Sequence, residues 1–397
     1  MAVTGCESGL PPAPAGGLVD AGATPPVAAH EPTSTATPAP PVASTPTATS
    51  APTATATPFA APRPTAVVVN LSSPTPTDTP TPSPSPTPSP TPTPPPPSSP
   101  LTGLPGPAEA LARRIVAVKI DNAPEARPQS GLSEAEVVYE HLTEGIVTRY
   151  TAFFQASVLK KVGPVRSARF VDRDLAPQFD ALLAHVGGSP HVLRDLMASP
   201  VADMDQFYYE ERLPYYRDPR RVAPFNMYLD LAALREFGAR RHPQRRQVPA
   251  LAFYREAPPP GNVTSITLPA GPRDIFQATY TYDAAQRRWK RALGGQRDVD
   301  EETGAQLQVE NVIVQHVSVV VTAFEEDSLG NRSLAIATVG TGKAIVFRDG
   351  LRLEGRWSRP SVNDATSFAT EDGTPLLLRP GLSWVHLRAG ADRVESA

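Results

Sequence analysis

Ala135-Glu136-Val137-Val138-Tyr139-Glu140-His141-Leu142-Thr143-Glu144-Gly145-Ile146-Val147-Thr148-Arg149-Tyr150-Thr151-Ala152-Phe153-Phe154-Gln155-Ala156 is the stretch that decides the fold. Its two arms are rich in β-branched and aromatic residues, which suit a pleated, half-buried surface. Successive side chains of a strand point to opposite faces. In the first arm, Ala135 to Leu142, one face therefore carries Val137, Tyr139 and His141 and the other Val138, Glu140 and Leu142. In the second arm, Val147 to Ala156, Arg149, Thr151 and Phe153 oppose Thr148, Tyr150, Ala152 and Phe154. Glu144-Gly145-Ile146 supplies the hairpin connection. Glu140 then sits on an apolar face, where a charge is costly unless it is paired. Arg149 is the expected partner of Glu140 or Glu144 across the hairpin. Such a pair either fixes strand register or lines a site.

Upstream, Ile115-Val116-Ala117-Val118-Lys119-Ile120 reads as a buried strand. It delivers Asp121-Asn122 at its C-terminal end, where open α/β sheets place ligand groups. The loop Arg127-Pro128-Gln129-Ser130-Gly131 follows, with Arg127 held extended by the proline after it. Downstream, Gly163-Pro164 breaks a short run, and Arg166-Ser167-Ala168-Arg169 is expected to open a helix through Leu175, capped by Ser167. Two arginines oppose the dipole at a helix N-terminus but favour an anion there. Ala181 to Val186 reads as another strand. His185-Val186-Gly187-Gly188-Ser189 leads from it into a helix, Pro190 to Met197, capped by Ser189. His185 is either a satisfied core histidine or a base. Tyr208-Tyr209, Tyr215-Tyr216-Arg217-Asp218 and Arg220-Arg221 suit stacking on a ring or sugar, or packing on the domain. Asn226 is expected to cap an amphipathic helix carrying Tyr228, Leu231, Leu234 and Phe237 and ending at Gly238.

Ala257-Pro258-Pro259-Pro260-Gly261 has the composition of a linker, and the pattern after it is β-rich. Strands are expected at Val263 to Leu268, Phe276 to Tyr282 and Arg287 to Arg291, with Tyr280, Tyr282 and Trp289 as cross-strand partners. A long central strand is expected at Asn311 to Thr322, and Leu334 to Val339 and Ala344 to Arg348 continue the sheet. Asp349-Gly350 is a hairpin turn returning through Leu351 to Trp357, and the last strand runs from Ser383 to Leu387. Asp298, Asp300, Glu301 and Glu302 read as an acidic surface turn, since the Gly-centred loop of a calcium site is missing. Arg352, Arg356 and Arg359 read as a solvated face. No catalytic triad, metal motif or phosphate loop is present, and no cofactor is expected.

Composition divides the 397 residues sharply. Residues 1–100 hold 28 of the 49 prolines, no Tyr, no Trp and one Phe. Such a segment cannot offset its chain entropy by burial. Its Thr-Pro and Ser-Pro repeats favour extended polyproline II. At roughly 3.1 Å per residue, its 70-residue proline-dense part reaches on the order of 200 Å. One of the 37 basic and four of the 40 acidic residues fall there, leaving 36 of each sign for the rest. That balance argues against nucleic acid as a partner. The lone cysteine, Cys6, excludes an intrachain disulfide. Val3-Thr4-Gly5-Cys6 matches the end of a lipobox, in which the cysteine is lipidated. No basic or apolar region precedes it, so either the true start lies upstream of Met1 or the match is a chance one in a cytosolic protein. No stretch is long and apolar enough for a spanning helix, so membrane attachment would be through lipid.

Several segments together resemble the YerB family of bacterial lipoproteins, which carry the domain named DUF3048. They are Arg127 to Leu132, Gly145 to Tyr150, Gly163-Pro164-Val165-Arg166-Ser167-Ala168-Arg169, His185 to Ser189 and Tyr216-Arg217-Asp218. The resemblance continues through Asp298, Asp300, Thr303-Gly304, Leu307 and Asn311 to Val314, and covers 101–390. The family commonly has histidine where this chain has Phe225 before Asn226. The resemblance implies an envelope location and the fold; it implies no activity. The resulting expectation is an α+β protein. A disordered Pro/Thr/Ser-rich stalk (1–100) precedes a mixed-sheet domain with helices (101–254) and a β-rich domain (255–397). The expected function is a lipid-tethered envelope binding protein for an anionic or carbohydrate ligand. Its pocket would draw on Asp121, Asn122, Arg127, Gln129, Ser130, Glu140, Arg149, Arg166, Arg169, His185, Ser189, Arg217 and Asn226. The alternatives are an envelope scaffold and a cell-wall hydrolase using Asp121 with Glu140 or Glu144.

Overall fold

A computed structural model describes residues 97–397 apart from 208–213, 271–273, 328 and 391. Most of the stalk, Cys6, Tyr208 and Tyr209 lie outside the described residues. The rest is mostly strand. The hairpin that opens the sequence analysis is the middle of a ten-stranded mixed sheet. Val137–Leu142 and Thr148–Phe154 pair antiparallel, with Glu140 opposite Tyr150 and His141 opposite Arg149. Beyond Thr148–Phe154 come Val116–Asp121, antiparallel, and then Leu182–His185 and Ala202–Asp205, both parallel to it. Beyond Val137–Leu142 the sheet continues through Ser383–Ala389, Asn311–Val317, Gly340–Arg348, Leu351–Arg359 and Ser367–Ala369. The join between early and late strands is parallel and sets His386 opposite Glu140. One sheet therefore runs unbroken across the linker-like 257–261.

Both faces of this sheet are covered, which is why its strands read as nearly continuous apolar runs. On one face, Val118, Ile120, Val138, Tyr150 and Trp384 pack against Ile266, Tyr280 and Trp289 of a smaller antiparallel sheet. On the other, Ala117, Val137, Tyr139 and Phe153 pack against Val171, Leu175, Phe179, Val192 and Leu196. Those five belong to the helices Phe170–Leu175 and Pro190–Met197 and the turn Ala176–Phe179. Each such aromatic or aliphatic side chain contributes about 1.5–3 kcal/mol on burial. The alternation expected for the hairpin holds. Its connection is a one-turn helix, Glu144–Ile146, in which Gly145 takes a positive φ of 68°. Asp349-Gly350 forms its hairpin turn with positive φ at both residues, and Ser189 caps Pro190–Met197 by accepting from the Val192 amide.

Other expectations fail for identifiable reasons. Asn226 caps no helix: Met227–Leu229 is a strand paired with Tyr215–Arg217. The helix starts at Leu231, where Asp230 accepts from the Ala233 amide at 3.0 Å. Ser167 likewise caps nothing. The helix starts at Phe170 after Arg169, whose amide donates to the Asp172 carboxylate at 2.7 Å. The Val-rich run from Asn311 breaks at Ser318. Val319–Glu325 leaves the large sheet and pairs with Arg332–Ile336 in a separate ribbon, so Leu334 does not extend that sheet. Strand propensity specifies a strand but not its partner. Arg359 is fully buried rather than solvated, donating to Asp364 and Val362 carbonyls and to Thr338. The acidic turn is not superficial either. Asp300 is fully buried and accepts from the Gly131 and Ser133 amides and the Ser133 hydroxyl at 2.9–3.0 Å.

Candidate functional site

The sheet splays where Val116–Asp121 and Leu182–His185 end. Their parallel pairing covers only Val116 to Val118 against Leu182 to Ala184. Beyond it, the extended segment Pro164 to Ala168 enters the gap. The Pro164 carbonyl accepts from Asp121, and the Arg166 amide donates to the Lys119 carbonyl. On its other side, Val186 donates to the Arg166 carbonyl and Ala168 to the Gly187 carbonyl. Arg166 is thus placed between the ends of two parallel strands, the position where open sheets form a crevice. These backbone bonds also explain why the segment does not join the following helix.

Strand alternation divides the expected site residues between the two faces. Asp121 and Arg149 lie on the helix-covered face, together with Lys119 and His141. Arg166 Nε lies 2.8 Å from Asp121 Oδ2, but the two are out of line for a hydrogen bond, and each lacks another partner. Arg149 donates to the Ser167 carbonyl and to Glu144, while its Nε has no acceptor. Burial and the neighbouring Arg169 bring the Arg149 pKa down to about 10. Glu144 receives Arg169 on both carboxylate oxygens and Arg149 on one. Burial alone would raise the Glu144 carboxyl, but these arginines hold it down at about 2. Glu326, from the ribbon, adds a fully buried carboxylate 3.6 Å from Arg169. Arg149, Arg166 and Arg169 are therefore matched by Asp121, Glu144 and Glu326, and the cluster has no excess positive charge.

His185 sits at the next strand end, fully buried. It donates from Nδ1 to the Gly187 carbonyl and from Nε2 to Asp203 at 2.7 Å. Burial opposes its charge, but Asp203 and Asp205 outweigh it and push its pKa up. It is a satisfied imidazole and holds no free lone pair for a base. The Gly187 amide is also taken, by Asp205 at 2.8 Å. Beneath the cluster, Lys119 donates to Asp172 at 2.8 Å, to Thr151 and to His141. Burial lowers Lys119 to about 8 and His141 to about 3.

On the opposite face, Glu140 pairs with Arg291 rather than Arg149, at 2.8 Å, because it points toward the smaller sheet. Trp384 Nε1 donates to the same oxygen and Thr148 to the other. Arg291 also donates to Tyr280 and Asp298, and its guanidinium lies 4.4 Å from the Trp384 ring centre. Burial would raise Glu140, but Arg291 and these donors hold it below the usual carboxylate range. Asn122 continues the network by donating to Thr148 at 2.6 Å. The loop residues of the expected pocket act as fasteners. Arg127 donates to Asn122 and the Ile275 carbonyl, Gln129 to the Asp121 carbonyl, and Ser130 to the Lys161 carbonyl. Arg217 donates to Asn226, which stands between Phe225 and Met227, beside the segment that carries Arg166.

The structure therefore gathers Asp121, Arg149, Arg166, Arg169, His185 and Ser189 around the splayed ends. It places Asn122 and Glu140 on the far face, and ties Arg217 to Asn226, next to Phe225 at the edge of the cluster. Sequence reasoning missed Lys119, Asp172, Arg291, His386 and Glu326. Only Lys119 carried a signal, as a lone cation within an apolar strand. Among the described residues, no group of three or more His, Cys, Asp or Glu could hold a metal.

This architecture defines a class: a single mixed sheet shared by two sequence regions and closed by buried ion pairs. Residues 101–244 match the family described as "Protein of unknown function (DUF3048) N-terminal domain", and residues 267–385 match its C-terminal companion. The chain belongs to the DUF3048 family. It is 30% identical over 292 residues to the Bacillus subtilis (strain 168) protein named "Putative lipoprotein YerB", covering 73% of this chain and 85% of that one. The crystal structure of Bacillus subtilis YerB superposes with a TM-score of 0.67 at 29% identity, covering 76% of this chain and 99% of that chain.

Proposed function

We propose that this protein is a lipid-anchored, extracytoplasmic binding protein of the bacterial envelope that takes a hydroxyl-rich, saccharide-type ligand at the splayed strand ends. The observation that carries this reading is the meeting of unused donors and an unused acceptor in one gap. Arg149 Nε has no acceptor, and Arg166 Nε and Asp121 Oδ2, an ion pair at 2.8 Å, are out of line with each other and hydrogen-bond to no other group. A hydroxyl group both donates and accepts, so a polyol satisfies both kinds. A simple anion would satisfy only the arginines, whose charges are already matched. Phe225, 5.9 Å from the Arg166 guanidinium, and the 68% exposed Phe207 beside Gly187 offer apolar faces for a ring. The anchor reading rests on Val3-Thr4-Gly5-Cys6 ahead of the stalk and on the name of the Bacillus relative. No described helix is long and apolar enough to cross a membrane.

The hydrolase reading loses its carboxylate pair. Asp121 and Glu140 face opposite sides of the sheet, and Glu144 is held ionised by Arg169 and Arg149, which leaves it no proton to donate. The scaffold reading keeps one supporting observation: Val320, Val321 and Leu329 of the ribbon are 57–85% exposed. Two experiments separate the cases. Calorimetric titration with neutral, amino and uronic-acid oligosaccharides should show saturable binding that Asp121→Asn with Arg166→Gln weakens at least about tenfold, with an unchanged melting curve. Absence of binding to every saccharide, or indifference to the double substitution, removes the reading. Palmitate labelling in the native host should vanish in Cys6→Ala.

A further inference from the structure

A cavity of about 340 Å³ opens between the large and small sheets, on the face away from Asp121 and Arg166. Its floor is Glu140, Thr148 and His386, whose polar atoms are mostly engaged with neighbours. Glu140 takes Arg291, Trp384 and Thr148. Thr148 takes Asn122. His386 Nε2 bonds the Tyr280 hydroxyl at 2.8 Å. Only His386 Nδ1 makes no hydrogen bond, and it faces Glu140 at 3.5 Å, so the floor offers an anion no place. The walls are apolar, formed by Leu142, Pro269, Ala270, Phe276 and Ala278. The mouth is different. Arg388 is largely buried, with 15% of its side chain exposed, and donates to the Pro269 carbonyl. Its Nε lies 3.3 Å from Asp392 but makes no aligned hydrogen bond. Arg393, 79% exposed, stands beside it.

We propose that this cavity is a second binding site, which takes the apolar chain of an amphiphilic carboxylate and holds the head group on Arg388. A floor occupied by Glu140 and its partners, apolar walls and one buried, under-paired guanidinium at the opening fit a single anionic head on an aliphatic tail. The volume lies at the lower end of those that bury small ligands, so the tail is short. The orientation follows from charge. A carboxylate driven to the floor would meet the ionised Glu140, whereas at the mouth it takes the place of the misaligned Asp392 as the acceptor for Arg388 Nε.

The test uses the whole chain and titrates decanoate and decanol by calorimetry. Decanoate binds saturably with one site, and decanol at least about tenfold more weakly, because it cannot form the charge-assisted bond. Arg388→Gln weakens decanoate by a similar factor. Ala270→Trp, at a half-exposed wall position, fills the cavity and abolishes decanoate binding with an unchanged circular dichroism spectrum. If Arg388→Gln does not fold, Ala270→Trp and the decanol comparison still decide. No saturable decanoate binding, equal affinity for decanol, or undiminished binding by Ala270→Trp overturns the proposal. None of these outcomes depends on the strand-end site.

Discussion

Replacing Arg291 with methionine should be among the most damaging single changes available to this protein. The guanidinium is fully buried, donating to Glu140 at 2.8 Å, to Tyr280 at 3.2 Å and to Asp298, with Trp384 stacked 4.4 Å away. Methionine fills much of the volume but leaves two buried carboxylates, Glu140 and Asp298, without their cation. Breaking a buried ion pair from one side costs about 3–5 kcal/mol. At about 2 °C per kcal/mol for a body of this size, the melting temperature falls by roughly 6–10 °C. Urea unfolding of the wild type, Arg291→Met, Glu140→Gln and the double variant gives the coupling directly. The double variant should recover more than about 1 kcal/mol over Arg291→Met, since Glu140→Gln removes one stranded charge and keeps the Trp384 and Thr148 bonds. Recovery stays incomplete because Asp298 remains. An Arg291→Met loss below about 1 kcal/mol, or a double variant no better than the single one, would show that the network is not what joins the two sheets.

Three further outcomes follow from the same geometry. Asp300→Ala strands the buried Gly131 amide, while the amide and hydroxyl of the exposed Ser133 can turn to water; at about 1–3 kcal/mol for a buried group left unpaired, chemical denaturation should show a loss of about 1–3 kcal/mol. Glu144 has its carboxyl pKa lowered from 4.5 to about 2, so its ion pairs contribute in full above pH 4.5 and are lost as pH falls toward 2; Glu144→Gln should flatten that part of an acid-unfolding curve and leave the neutral-to-alkaline slope unchanged. Gly355→Ala would place a Cβ 2.1 Å from the Ala369 carbonyl; hydrogen exchange should show the Ser367–Ala369 strand released from the sheet edge while the central strands stay protected.

The sequence was legible wherever local pattern and final environment agreed. The hairpin from Val137 to Phe154 alternates so regularly that its two faces are correct residue by residue. Ser189-Pro190 states its helix start in the residues themselves, and Asp349-Gly350 states its turn. Failures arise where a distant partner decides. Nothing near Asn226 reveals that Tyr215–Arg217 pairs with the residues after it and delays the helix to Leu231. Nothing near Arg359 reveals that distant Thr338 receives it, and nothing near Glu140 marks Arg291, 151 residues later, as its partner. Long-range ion pairs leave no periodicity to read. A charge in an apolar run announces only that a partner exists. The candidate site was legible to the same degree: its residues were singled out, but their division between two faces required the sheet.

That division bears on how the two family regions depend on each other. Val137–Leu142 belongs to the first region, yet one of its edges is completed only by Ser383–Ala389, which starts in the second region and runs past its end at residue 385. Without that strand, the edge from Val137 to His141 would present unpaired backbone groups and apolar side chains, a template for aggregation. Glu140 would lose Arg291 and Trp384 in the same step, and Gly131 and Ser133 would lose Asp300. Each loss is several-fold costlier for a buried group than for an exposed one. The chain thus returns, after more than two hundred residues, to satisfy the hairpin with which its fold begins. The strand ends that hold Asp121, Arg149 and Arg166 inherit their geometry from a sheet that only the whole sequence completes.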